Sequence, residues 1–185
     1  MRAIVRLAAA AAFLALVSPL AAQGKDPESC RTNPDGDAAI EACNRVINSG
    51  RYSRSDVARA YLDRGQRYYT KNEIDRAIAD ASTAISTGAL NAESLAIAYS
   101  NRGNGWFVKD DIDRAIADYT TAIRTNSRFA APLTARGLLK EKSGDIEGAL
   151  RDFRAALRIE NRNRFDDDRW ARETAERKLR ELDRR

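Results

Sequence analysis

Between residues 58 and 156, apolar side chains recur at three- and four-residue spacing, interrupted by short polar triplets. Tyr61, Gly65 and Tyr68 fall on one helical face, and Ile74, Ala77, Ile78, Ala81, Ala84 and Ile85 on another. Lys71, Asn72 and Glu73 separate them, a polar turn of the kind that reverses a helix. The order returns as Tyr99, Gly103 and Trp106 before Ala115, Tyr119 and Ala122, and again as Leu133, Gly137 and Lys140 before Ala149, Phe153 and Ala156. Each glycine precedes the alanine of the second pattern by 12 residues, and successive glycines are 38 and then 34 residues apart. Three copies in register predict three helical hairpins and an all-α chain. A half-unit, Ala39 to Ile47, precedes them. A single amphipathic helix, Asp166 to Asp183, follows, with acids at its start, bases near its end, and Trp170, Ala175, Leu179 and Leu182 as its expected inner stripe.

Composition narrows the chemistry. The 185 residues suit one domain or a short repeat array. Histidine is absent, which excludes His-based triads and His-ligated metal sites. Neither a glycine-rich phosphate loop nor a nucleophile elbow is present, so no enzymatic activity, cofactor or metal is expected. Asn33, Asp35 and Gly36 resemble part of a calcium loop, but Arg31 and Ala42 occupy its first and twelfth ligand positions. The formal charge is +5. Its basic excess lies in the last 35 residues, where 12 Lys and Arg alternate with 9 Asp and Glu. Nucleic acid would want a basic stripe with stacking aromatics, so a solvated helix face is the expectation.

Residues 1–22 combine a basic start (Arg2, Arg6), an apolar run from Leu7 to Val17, Pro19, and small residues at Ala21 and Ala22. That is the pattern of a cleaved signal peptide, with cleavage at or within two residues of Ala22. A membrane anchor would need about 20 apolar residues, and Gln23 stands where a lipoprotein would carry cysteine. The mature chain is therefore expected in the periplasm or secreted, without stable membrane insertion. In that setting Cys30 and Cys43, the two cysteines of the chain, are expected to form one disulfide. A redox-active pair would want Cys-x-x-Cys spacing. The 14-residue loop would contribute about 3 kcal/mol in the chain-entropy model.

Residues 35–160 resemble the tetratricopeptide repeat: a large residue, a small one four later and an aromatic three later, then Ala, aromatic, Ala in the second helix. Tyr99, Gly103, Trp106, Ala115, Tyr119 and Ala122 match throughout; Ala81 is undersized and Lys140 departs. A helix-pair repeat of longer period is the alternative, against which the 34-residue step speaks. The resemblance implies a right-handed solenoid of antiparallel helix pairs. An array over 23–160 would comprise a partial repeat at 29–50 and repeats at about 58–91, 96–129 and 130–163, capped by a helix in 164–185. In this register Cys30 and Cys43 take facing core positions, so the disulfide would replace a hydrophobic contact in the truncated first repeat.

The family is one of partner-binding scaffolds, which implies a non-enzymatic protein holding a protein or peptide segment in a concave groove. The alternative is an assembly subunit using its ends or convex face. Its groove-facing positions correspond to Arg59, Leu62, Gln66 and Tyr69, then Ile97, Ser100, Asn104 and Phe107, then Ala131, Thr134, Leu138 and Glu141. Asn101 survives from the family's carboxylate clamp, but Leu62, Ala131 and Ala135 replace its basic members and Gln66 replaces an asparagine. A hydrophobic grip assisted by hydrogen bonds is expected instead, on an extended or helical segment. Where the family carries leucine before the small glycine, this chain has Arg64, Arg102 and Arg136, with Asp80, Asp118 and Asp152 sixteen residues on. These are expected to form ion pairs within or across repeats; independent solvated charges are the alternative.

Overall fold

The computed structural model describes residues 25–159, 166–182 and 184. The leader expected over 1–22 lies outside the described residues. Nine helices are described: α1 (Asp26–Thr32), α2 (Gly36–Asn48), α3 (Arg54–Thr70), α4 (Ile74–Ser86), α5 (Ala92–Val108), α6 (Ile112–Thr125), α7 (Ala130–Lys142), α8 (Ile146–Arg158) and α9 (Asp166–Leu182). They pack in pairs, α1 on α2, α3 on α4, α5 on α6 and α7 on α8, and each second helix also packs on the first helix of the next pair. No strand occurs among the described residues, and the whole is a helical-repeat solenoid.

The hairpin turns share one backbone solution. Asn72, Asp110 and Gly144, the middle residues of the polar turns 71–73, 109–111 and 143–145, have positive φ of 59°, 59° and 86°. Asn, Asp and Gly are the residue types that enter this left-handed region with least strain. Inside each full hairpin, alanine and glycine bring the helices together. The rings of Tyr119 and Phe153 lie over Gly103 and Gly137, where a Cβ would come within 2.8 and 2.7 Å of the ring carbons. In the hairpin of α3 and α4, Ala81 supplies no ring, and Gly65 meets Asp80 and the Ala77 carbonyl instead.

The steps of 38 and 34 residues have a structural cause. α3 and α5 each run 17 residues and α7 runs 13. The difference is one helical turn, placed at the N-terminus. α3 and α5 begin at Arg54 and Ala92, four residues before the boundaries expected from the repeat. Ser53 starts α3 through a capping box with Asp56, and the Asn91 side chain accepts from the Ser94 amide at the start of α5. α7 has no such prelude: its side-chain cap is absent at Phe129, and Pro132 sits in its first turn, where a missing N–H does no harm.

At the N-terminal end, a Cys30–Cys43 disulfide joins α1 to α2, with both cysteines buried beside Ala42, Val46 and Ala60. α1 is further held by Arg45 Nε donating to Asp26 (2.9 Å) and by Arg67 donating to the Arg31 carbonyl (2.9 Å). At the other end, α9 lies against both α7 and α8. Ala171, Ala175 and Leu182 are buried in that contact. Thr134 Oγ1 donates to the Ala171 carbonyl (3.1 Å), and Arg172 donates to the carbonyls of Leu157 (3.1 Å) and Ile159 (3.0 Å), satisfying the exposed end of α8. Trp170 does not belong to the buried stripe as the sequence pattern suggested; it is 48% exposed and turns toward the face lined by the first helices.

Candidate functional site

Two features repeat along the array, one ionic and one apolar. The ionic one is a ladder. Arg64 holds Asp80 through Nε (2.8 Å) and Nη2 (2.7 Å), Arg102 holds Asp118 at 2.8 Å through both, and Arg136 holds Asp152 at 2.8 and 2.7 Å. These bidentate pairs lie within a repeat, and the aspartates are buried. The third nitrogen of each arginine reaches back to the second helix of the preceding repeat: to Asn44 (2.5 Å), Ser82 (3.4 Å) and Thr120 (2.9 Å). Hydrogen bonding to the aspartate holds Arg64 and Arg102 above the ordinary guanidinium range. Lys140, the departure in the last repeat, also meets Asp152 at 2.9 Å. Its counterparts Tyr68 and Trp106 instead stack against Arg76 and Arg114, at 5.4 and 3.8 Å from the ring centres.

The apolar feature is a hollow of about 340 Å³ on the face of the first helices. α3 supplies Gln66 and Tyr69; α5 supplies Ser100, Asn101, Asn104 and Phe107; α7 supplies Ala131, Ala135, Leu138 and Leu139. The three- and four-residue spacing within each set puts those side chains on one helical face. Tyr119 of α6 reaches the hollow from below, donating its hydroxyl to Asn104 Oδ1 at 2.7 Å, and burial pushes its phenol above the usual range. Trp170 of α9 closes the far side. Phe107 is 46% exposed, and no charged residue lines the hollow among the described residues.

Seven of the twelve expected groove positions line this hollow: Gln66, Tyr69, Ser100, Asn104, Phe107, Ala131 and Leu138. Arg59, Leu62, Ile97, Thr134 and Glu141 do not. Leu62 is 3% exposed and packs with Ala84 and Ala98 between α3, α4 and α5. Ile97 is half-buried against two core clusters. Thr134 is wholly buried by α9. The covering neighbours differ: Ala84 of α4 and Ala98 of α5 close over Leu62, two core clusters hold Ile97, and α9 covers Thr134. Arg59 donates to Ser94 (2.6 Å) and neighbours Asp63, whose carboxyl burial raises above the usual range, while Glu141 pairs with Lys178 of α9 at 2.9 Å. The pattern missed Trp170, which only the placement of α9 reveals. It also passed over Ala135 as a lining residue, although Ala131 and Ala135 stand one turn apart in the sequence.

Pairs of helices stacked through small residues, three full units, an N-terminal partial unit and a terminal helix define a solenoid of the tetratricopeptide type. The comparisons with solved structures agree with that fold. A crystal structure of MamA superimposes with a TM-score of 0.60 at 19% identity, over 86% of this chain and 97% of that one. Another MamA structure gives 0.62 at 20% identity, over 88% of each chain. A tetratricopeptide repeat protein from Parabacteroides merdae gives 0.63 at 16% identity over 88% of this chain, which spans 61% of that protein. At these identities the likeness concerns the fold alone. No protein-family model and no curated protein matches the sequence.

Proposed function

We propose that the protein is a non-enzymatic scaffold that holds a segment of a protein partner in the hollow of its first helices. The observation that carries this reading is the lining itself. Phe107 and Trp170 expose nearly half their surface, although exposed aromatic rings are unfavourable in water and clustered ones mark interaction sites. Around them stand Gln66 and Asn101, whose amides make no side-chain hydrogen bond among the described residues. Rings for affinity and unspent amides for orientation are what a peptide site needs. Because the lining is uncharged, binding should respond weakly to salt. We place the mature protein in the periplasm or outside the cell, on the leader-like pattern of residues 1–22 and the paired cysteines.

The test is the double substitution Tyr69→Ala with Phe107→Ala. Neither ring is buried, so the melting temperature should change little, whereas crosslinking to the partner in cell-envelope extracts should disappear. Undiminished crosslinking by the double variant would overturn the reading and move the site to the convex face or the ends.

A further inference from the structure

We infer that the hollow is an anchor pocket for one large apolar side chain of an uncharged partner segment bound in an extended conformation. This rests on the scaffold reading above and specifies its occupant. The first ground is the origin of the space. Counting back from the small glycine of each first helix, Ala131 and Ala135 stand where α3 has Arg59 and Asp63 and where α5 has Ile97 and Asn101. Two consecutive turns of α7 are thus truncated to methyl groups, and the space opens above them, with Tyr119 and Leu139 as its buried floor. Its volume of about 340 Å³ is at the small end for a ligand site. That suits one bulky side chain with its adjoining backbone, not the face of a folded partner.

The second ground is charge. In a chain that is 32% charged, no charged side chain lines the hollow among the described residues, so an ionised group entering it would lose its hydration without gaining a partner there. The third ground is hydrogen bonding. Among the described residues Gln66 and Asn101 make no side-chain hydrogen bond, and Asn104 accepts from Tyr119 while its NH2 makes none. A helical segment has already consumed its own carbonyls and amides. An extended segment presents both, and these side chains can meet them. Tyr69, Phe107 and Trp170 would flank the anchor on the open side.

The test uses a random dodecapeptide phage library selected on the purified full-length chain, with Kd values of the enriched peptides then measured by fluorescence anisotropy. Enriched sequences should share one large apolar residue in a neutral context, and replacing that residue by alanine or lysine should weaken binding tenfold or more. Ala135→Leu, which fills the floor while removing no contact group, should weaken the same peptides at least tenfold; Trp170→Ala, outside the core, should weaken them several-fold and serves if Ala135→Leu fails to fold. A charged or helix-forming consensus would overturn the inference, as would a library that enriches nothing, or a hollow that takes only small apolar molecules. Wild-type affinity in a folded Ala135→Leu variant would overturn the anchor pocket. If Tyr69→Ala with Phe107→Ala still abolished binding there, the scaffold reading would stand alone. Wild-type affinity in both variants would end both.

Discussion

A Cβ on Gly103 would stand 2.8 Å from the Tyr119 ring, and one on Gly137 would stand 2.7 Å from Phe153. Both rings are buried, Phe153 within the core and Tyr119 beneath the hollow, and an added Cβ would have to displace them. The helix-propensity gain of alanine over glycine, about 0.5–1 kcal/mol, is therefore outweighed by overpacking of about 1–3 kcal/mol. Gly103→Ala and Gly137→Ala should each lower unfolding free energy by about 1–2 kcal/mol in urea titrations. Gly65→Ala faces Asp80 Cβ at 3.2 Å and a carbonyl at 3.3 Å, with no ring to displace, so its loss should be smaller. The undersized Ala81 and the small glycine were legible as a pair in the sequence. The same reading failed at Leu62 and Thr134, because periodicity tells which face a side chain is on and not what the neighbouring helix covers.

The first hairpin shows what an element needs when it is short. α1 has seven residues, too few to be helical by itself in water, where the nucleus must be repaid over several turns. Pro27 and the acids Asp26 and Glu28 suit its first turn, but the disulfide and the contacts with α2 and α3 hold it. Cys30→Ser with Cys43→Ser should cost about 3 kcal/mol. Hydrogen exchange should show α1 amides losing protection first, with α5 to α8 nearly unchanged; uniform loss along the chain would contradict the local role. The pairing itself was readable from two cysteines behind an export-like leader. The extra turn of α3 was also legible, since Ser53 and Asp56 stand at capping spacing, but the repeat register by itself starts that helix four residues later.

Over the whole molecule, the arginine ladder is the buried, repeated tie between one hairpin and the next, beside more exposed ones such as Arg59–Ser94, Lys71–Asp37 and Lys109–Asp75. Each repeat of a solenoid touches only its neighbours, so stability is a sum of unit and interface terms. Arg102 belongs to both, through Asp118 and Ser82. Arg102→Gln should leave the buried Asp118 without its bidentate partner, at a cost between the ~1 kcal/mol of an exposed pair and the ~3–5 kcal/mol of a fully buried one. The unfolding transition should also broaden as the two halves of the array uncouple. Adding Asp118→Leu should recover part of the loss by removing the stranded charge. A sharp transition at unchanged midpoint for Arg102→Gln would show that the ladder carries no coupling.

The amino-acid sequence by itself determined the helical hairpins, their number and pairing, the cysteine partners and the arginine–aspartate register. All of these follow from spacing along one chain, where helical periodicity and a fixed repeat convert sequence distance into spatial distance. Tertiary structure alone decided which face stays open. The hollow exists because α7 brings Ala131 and Ala135 opposite the rings of Tyr69 and Phe107 and because α9 folds back to add Trp170. It also closed the positions of Leu62 and Thr134, through the stacking of one helix on the next. Exposure is a property of the neighbours a residue acquires, and those neighbours lie more than twenty residues away along the chain.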